Sequence, residues 1–487
     1  MANLLKKIEN IPNFPGVTSH GEIRLPRGMI GMKKILFLLI LVVMAVPLIW
    51  VLVHKYEGTA PRVEVSLPSL YLKKSFEMGL DAGDPGTGLR NVQVSVVQQG
   101  NEKVLLDKTY PPSSILNLLG GPSMPHERFT LNIEVDKLGL TDGEALIRIR
   151  VSDNSWRSWN KGNVTYFEQK LIVDSTPPKI TILSKQHNVS KGGSGLVIYR
   201  TFEPDLKTGV KVGDNFFPGY PGMFDDKEIY AAFFALDYTQ GPGTKIRVIA
   251  EDAAGNSIQK GFYHYIRDKK FKIDTLNISD RFLGAKMPDF SMGGEHSGAD
   301  DSMLDKFLKV NGAVRKANVE KVLAAPSDTV NQVLWKGRFG RLAGAATRSG
   351  FADHRIYRYN GKEIDRAVHL GIDLASTAQA PVKAANSGRV IMAEAVGIFG
   401  NTIILDHGFG LASLYSHLSS MAVRPGDKVG KEDILGNTGL TGLAGGDHLH
   451  FSIIVHNVFV NPVEWWDASW IKNNITSKIE AIGTLKN

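Results

Sequence analysis

The sequence predicts a multidomain, mainly β protein, with one transmembrane helix near the N-terminus, two β-sandwiches in series, a short helical linker and a further C-terminal domain. Three observations carry this. The chain has 487 residues, more than one hydrophobic core serves, so it divides into modules. Residues 35–53 (ILFLLILVVMAVPLIWVLV) are continuously apolar, close to the roughly 20 residues that a bilayer-spanning helix needs. From about 60 to 275, apolar residues recur with period two between Gly, Pro, Asn and Asp, as half-buried strands do.

Composition narrows the class. A hydrophobic share of 43% and a charged share of 22% are those of a folded chain. The formal charge is +8, with Lys and Arg scattered rather than gathered among aromatics. That distribution speaks against nucleic-acid binding and suits an anionic surface such as a wall or membrane. Cysteine is absent, so disulfides and thiolate metal sites are excluded and any metal must rest on His, Asp or Glu.

The apolar span 35–53 is longer than the core of about 7–15 residues in a signal peptide, and it runs into Val53-His54-Lys55-Tyr56 without a small-x-small site. An uncleaved anchor is expected. Arg24, Arg27, Lys33 and Lys34 precede it, whereas Lys55 and Arg62 follow. The positive-inside bias therefore places segment 1–34 in the cytoplasm and everything after residue 55 outside. Met32, just before Lys33-Lys34, is an alternative start that leaves residues 1–31 without a role.

Between 60 and 276 the strand pattern is explicit. Phe129, Leu131, Ile133 and Val135 alternate with polar residues, as do Ile147, Ile149 and Val151, and Ile246, Val248 and Ala250. The segment also looks duplicated. Pro61-Arg62-Val63-Glu64-Val65 recurs as Pro178-Lys179-Ile180-Thr181-Ile182, and Ile149-Arg150-Val151-Ser152-Asp153 as Arg247-Val248-Ile249-Ala250-Glu251-Asp252. A spacing near one hundred residues predicts two sandwiches of immunoglobulin type, 60–176 and 177–276. The tail Glu251-Asp252-Ala253-Ala254-Gly255-Asn256 resembles the closing strand and turn of bacterial Ig-like repeats. No titratable cluster with ligand spacing occurs here, so His126, His187 and His264 are expected at the surface or in packing, and the region is expected to be a spacer or binding module.

Over 277–344 the period changes to that of helices. Met303, Leu304, Phe307 and Leu308 form one face after a cap at Asp301 or Ser302, and Val330, Val333 and Leu334 are expected to begin another after Pro326-Ser327-Asp328. Gly293-Gly294 to Asp300 is expected to be a hinge.

Chemistry concentrates after residue 345. Seven of the thirteen histidines lie between 354 and 456. In His448-Leu449-His450-Phe451, followed by Ile453-Ile454-Val455, the imidazoles share one face of a strand. They are two metal ligands, or one ligand beside one catalytic base. His369-Leu370-Gly371-Ile372-Asp373 adds an imidazole and a carboxylate four residues apart, and an Asp inside an apolar strand is costly unless paired or metal-bound. Two His and one Asp leave tetrahedral zinc a fourth position for water, the arrangement of catalytic sites. An HExxH helix is missing, so the base must come from elsewhere. His417 in Leu414-Tyr415-Ser416-His417-Leu418 is one candidate, with Tyr415 on the same strand face, and His448 is the second. His407, His354 and His456 are expected to be structural or unassigned, and Trp465-Trp466 to pack at the domain's end.

The ordered motifs HLGIDLA (369–375), LYSHLS (414–419) and DHLHF (447–451) resemble those of the lysostaphin-type (LytM-like) zinc endopeptidases of bacterial cell walls, and the likeness covers 345–466. It implies a compact antiparallel β fold, lipoyl-hairpin-like, with a short tail 467–487. It implies Zn2+ on His369, Asp373 and His450, with His417 and His448 as the catalytic pair. It also implies a substrate among the peptides of peptidoglycan, cut by a chain held at the cytoplasmic membrane by one helix with its bulk facing the periplasm or wall. An envelope partner could bind the Ig-like region. The chain departs from the family's pattern at Ser452, where Glu is common, and at Leu443-Ala444-Gly445-Gly446-Asp447 before the HxH, which bears on the substrate groove. Because some relatives have lost the zinc site, a non-catalytic scaffold or activator of other wall hydrolases is the rival expectation.

Overall fold

The computed structural model describes residues 27–112, 124–290 and 302–483, with the backbone alone for 27–33. Segment 1–26, the expected hinge at 293–300 and the expected cap at Asp301 lie outside these residues. The chain forms two compact units, Met1–Val173 and Asp174–Asn487.

The first unit begins with the helix Arg27–Lys55. Among the described residues it is the one helix long and apolar enough to cross a membrane, over Lys34–Lys55. Its apolar side chains from Ile35 to Leu48 are largely exposed, a surface that water would not tolerate and a bilayer would. After it, a three-stranded sheet (Arg62–Ser66, Ser75–Gly83, His126–Glu134) and a five-stranded sheet centred on Leu89–Gln98 and Gly143–Asp153 surround one core. Ile147, Ile149 and Val151 point into that core, as their alternation requires. Val135 is buried too, but as the first residue of the helical turn Val135–Leu138 rather than in the strand.

The second unit opens with two four-stranded sheets. One is built on Ser194–Thr201 and Ile229–Ala235, the other on Lys207–Val212 and Ile246–Glu251. The next strand, Ile273–Ile278, pairs in parallel with His354–Tyr359. Parallel neighbours need a crossover, and the crossover here is the helical segment: Asp280–Lys286, Met303–Lys309 and Arg315–Ala324. Ser302 caps the second helix in a capping box with Asp305.

The helix expected to begin at Val330 does not form. Asp406 captures this segment instead, accepting hydrogen bonds from Val330 N at 3.0 Å and Thr329 Oγ1 at 2.7 Å. Leu334 N donates to the His407 carbonyl. Backbone donors that a first helical turn would leave unsatisfied are thereby committed to a neighbouring strand end.

The C-terminal domain is an eight-stranded sheet whose central strands run in the order Ile372–Ala375, Leu449–Val455, Leu411–Leu418, Gly400–Asp406 and Gly388–Val396. Its core is continuous with that of the preceding sheets of the same unit. At their seam Trp465 is fully buried against Phe233, Trp335 and Phe339. Glu464 is buried beside it, accepting from Ser194 N at 2.9 Å.

That carboxyl has a testable consequence. Burial pushes Glu464 up to about 7 from an ordinary 4.5. The folded state thus holds a proton that the unfolded chain releases, and stability declines as pH rises between about 4.5 and about 7, by up to roughly 3 kcal/mol. Glu464→Gln should match the wild type below pH 5 and unfold at a higher temperature at pH 8. Thermal unfolding of the full chain in detergent across this range checks it, and parallel curves for the two proteins would contradict it.

Candidate active site

Sheet register assembles the site. Asp373 lies directly opposite His450, and Ser416 faces His450 from the other side. His369 sits in the turn before the Asp373 strand, His417 near the end of its strand, and His448 in an isolated bridge to Gly439 just before Leu449. All five residues singled out in the sequence line one cavity of about 290 Å³.

Three ligand atoms converge. His369 Nε2, Asp373 Oδ1 and His450 Nδ1 are each 2.9 Å from the other two, and all three residues are buried. The tautomers follow from the outer partners. His369 Nδ1–H donates to the Gly350 carbonyl at 2.8 Å. Ser452 donates its only hydroxyl proton to the Leu370 carbonyl at 2.8 Å, so it must accept from His450 Nε2–H at 3.1 Å. Both inward nitrogens therefore present lone pairs, towards each other and towards a carboxylate oxygen. Three acceptors with no proton to share repel one another unless a cation sits between them. The donor set of two imidazoles and one carboxylate is one that zinc accepts, with an edge of about 3.3 Å for bonds of 2.0–2.1 Å. These residues could hold a metal ion.

Asp373 is kept ionised. Burial works against its charge, but the imidazoles around it, His369 above all, with His448 and His450 beside it, hold its carboxyl well below the usual carboxylate range. Its second oxygen is taken by Arg355, whose Nη2 lies 2.9 Å from Oδ2 and 2.9 Å from Ser349 Oγ. Burial pushes His450 down to about 4, which keeps it neutral and able to ligate.

The other two imidazoles use the same device. His417 Nδ1–H donates to the Thr441 carbonyl at 2.9 Å and His448 Nδ1–H to the Gly446 carbonyl at 2.8 Å, leaving each Nε2 for the cavity. Their ring centroids are 4.8 Å apart. Burial, then the neighbouring His448 and His450, holds His417 well below its ordinary value, a neutral base. For His448 burial opposes the charge, yet the hydrogen bond and charge of Asp373 raise it above its ordinary value. The two rings thus differ in proton affinity, as an acid and a base must.

Tyr415 does not share this cavity, contrary to the alternation expected from sequence. His417 has φ +63°, a left-handed conformation that breaks the period of two. Tyr415 is buried elsewhere, its hydroxyl bonded to Ser413 Oγ and Ala385 N. His407 is likewise a packing residue, satisfied by the Ser387 carbonyl and Ser413 Oγ. His456 stacks on Tyr220 and His354 meets Tyr238 edge-on. Other residues complete the site: Arg355, Ser452 behind His450, Leu276 from the strand Ile273–Ile278, and a roof of Phe282, Phe307 and Arg315 from the crossover. Only the departure at Ser452 stood out in the sequence.

Comparison with known proteins agrees with this geometry. Residues 367–462 match the model described as Peptidase family M23. Over 96 residues the chain is 35% identical to the DD-carboxypeptidase/endopeptidase Mpg of Neisseria meningitidis, covering 20% of this chain and 22% of that protein. Over 98 residues it is 35% identical to the peptidoglycan DD-endopeptidase ShyA of Vibrio cholerae, covering 20% and 23%. Over 101 residues it is 36% identical to Stage II sporulation protein Q of Bacillus subtilis, covering 20% and 36%. The chain thus spans between 22% and 36% of the length of these relatives. All three motifs lie inside the match, and residues 367–462 of this chain are a peptidase domain of family M23.

Proposed function

We propose that the chain is a membrane-anchored zinc endopeptidase that hydrolyses peptide bonds in peptidoglycan. The observation that carries this is the convergence of His369 Nε2, Asp373 Oδ1 and His450 Nδ1 beside two further imidazoles, His417 and His448, each anchored to a carbonyl through Nδ1. The relatives named as peptidoglycan endopeptidases support the substrate class.

His369, Asp373 and His450 would hold the metal. Zinc in that position supplies a Lewis acid and lowers the pKa of water toward about 7. His417, neutral and with Nε2 bare, takes the proton of the attacking water. His448, the ring that gains a proton more readily, steadies the developing oxyanion and passes a proton to the leaving amine. The apolar roof limits water in the cavity, which strengthens both interactions. The helix Arg27–Lys55 anchors the chain, and with Lys34 at its entry it leaves the bulk outside the cytoplasm.

Metal content and turnover separate the roles. In the full chain in detergent, His369→Ala or Asp373→Ala should abolish bound zinc, because two protein donors are too few for a catalytic site. His417→Ala or His448→Ala should keep about one zinc per chain and lower the release of new amino termini from purified peptidoglycan by about 10²–10⁴-fold. Zinc retained in both ligand variants would overturn the metal assignment. A wild type that holds zinc yet cuts no wall peptide would leave the scaffold reading.

Topology is checked independently. In cells with opened outer layers, added protease should digest the region after residue 55 while the chain fractionates with membranes. A soluble product beginning near residue 56 would contradict the anchor.

A further inference from the structure

The cavity holds a second feature that hydrolysis does not use. Arg315, from the crossover helix Arg315–Ala324, and Arg355, from the strand that pairs with Ile273–Ile278, both line it beside His448. Arg355 spends Nη2 on Asp373 and Ser349, but its Nε is buried without a partner. Arg315 donates Nε and Nη2 to a neutral acceptor, Asn311 Oδ1, at 3.1 and 2.7 Å. Asn311 in turn donates to Asp365 at 2.6 Å. Among the described residues no carboxylate lies within ion-pairing distance of Arg315. Burial above all, with the like charge of Arg355, lowers its pKa against the opposing influence of Tyr357 and Asp365.

A guanidinium held in an apolar roof without a direct ion-pair partner is expensive, and a second one nearby adds repulsion. Asp373 is shared between Arg355 and the metal position, and Asp365 meets Arg315 only through Asn311, so the loaded cleft carries an excess of positive charge. Planar guanidinium groups favour carboxylates, which they bind through paired hydrogen bonds. The cavity of about 290 Å³ is at the small end of ligand pockets, with room for a residue or two rather than a through-running strand.

We infer that Arg315 and Arg355 form a carboxylate-binding subsite beside the metal position, so that this chain prefers peptides with a free carboxylate at or next to the scissile bond. This rests on the peptidase reading of the same cleft. The carboxylate has two sources in wall peptides, the C-terminal carboxyl group and an acidic side chain.

The test is direct binding to the full chain in detergent, measured by calorimetry with metal removed and again with zinc. Three probes are used: acetyl-D-alanyl-D-alanine, its C-terminal amide, and an amide of the same length whose last residue carries a side-chain carboxylate. The wild type should bind the first about 10- to 100-fold more tightly than the amide, the range of a charge-assisted pair. Tight binding of the third probe instead would assign the subsite to a side chain. Arg315→Gln should erase the preference at unchanged zinc content, and Arg315→Lys should keep part of it. Equal affinity of the wild type for all three probes, or no binding of any, overturns the subsite without needing a variant that folds. Preference without cleavage would sink the peptidase reading and leave the subsite standing, whereas cleavage without preference would do the reverse.

Discussion

The buried carboxylate of Asp373 is the constraint around which the C-terminal domain is arranged. It sits inside a strand whose other side chains, Ile372 and Leu374, belong to the core, where an unpaired charge would cost several kcal/mol. Every element that meets it answers that cost. The strand Leu449–Val455 brings His450 opposite, the preceding turn brings His369, and Arg355 reaches the far oxygen from another sheet. Removing one partner leaves the others facing an uncompensated charge, so the site and the local fold stand together. These partners come from strands and a strand-flanking turn, where sheet register fixes spacing to a fraction of an ångström, as a metal site would require.

The crossover takes part for a topological reason. Because Ile273–Ile278 pairs in parallel with His354–Tyr359, the chain between them must travel back along the sheet, and three helices do so. The same pairing holds Arg355 and Tyr357 under Phe307. Residues 277–344, a connector by sequence, thus become the wall of the cleft. A cleft closed by its own connector selects what enters more narrowly than an open groove would.

What the sequence made legible was whatever rests on short-range pattern. The span 35–53, the alternation at Ile147, Ile149 and Val151, and the motifs around His369, His417 and His450 are local, and the mainly β chain with its M23 domain follows from them. What escaped depends on distant partners. Val330 and Leu334 have helical spacing, but Asp406 and the His407 carbonyl, more than seventy residues on, claim their backbone donors. Tyr415 and His417 alternate on paper, yet His417 itself takes a left-handed conformation that breaks the alternation. Arg315 and Arg355 lie forty positions apart in unremarkable text, and only the crossover brings them to one cavity. Propensity is a weak prior wherever a tertiary hydrogen bond competes with it.

Ser452 shows how such a site tolerates change. The serine is an acceptor for His450 Nε2–H, because its own proton is fixed on the Leu370 carbonyl. A glutamate there would add a second carboxylate to a shell that already buries Asp373, and would need a counter-charge that Arg355 has already committed elsewhere. Serine supplies orientation without charge. Leu443 and Gly445 fall on the cavity wall. Arg355 and Ser452 thus settle the charge at Asp373 and the orientation of His450 through hydrogen bonds to groups outside the cavity's centre.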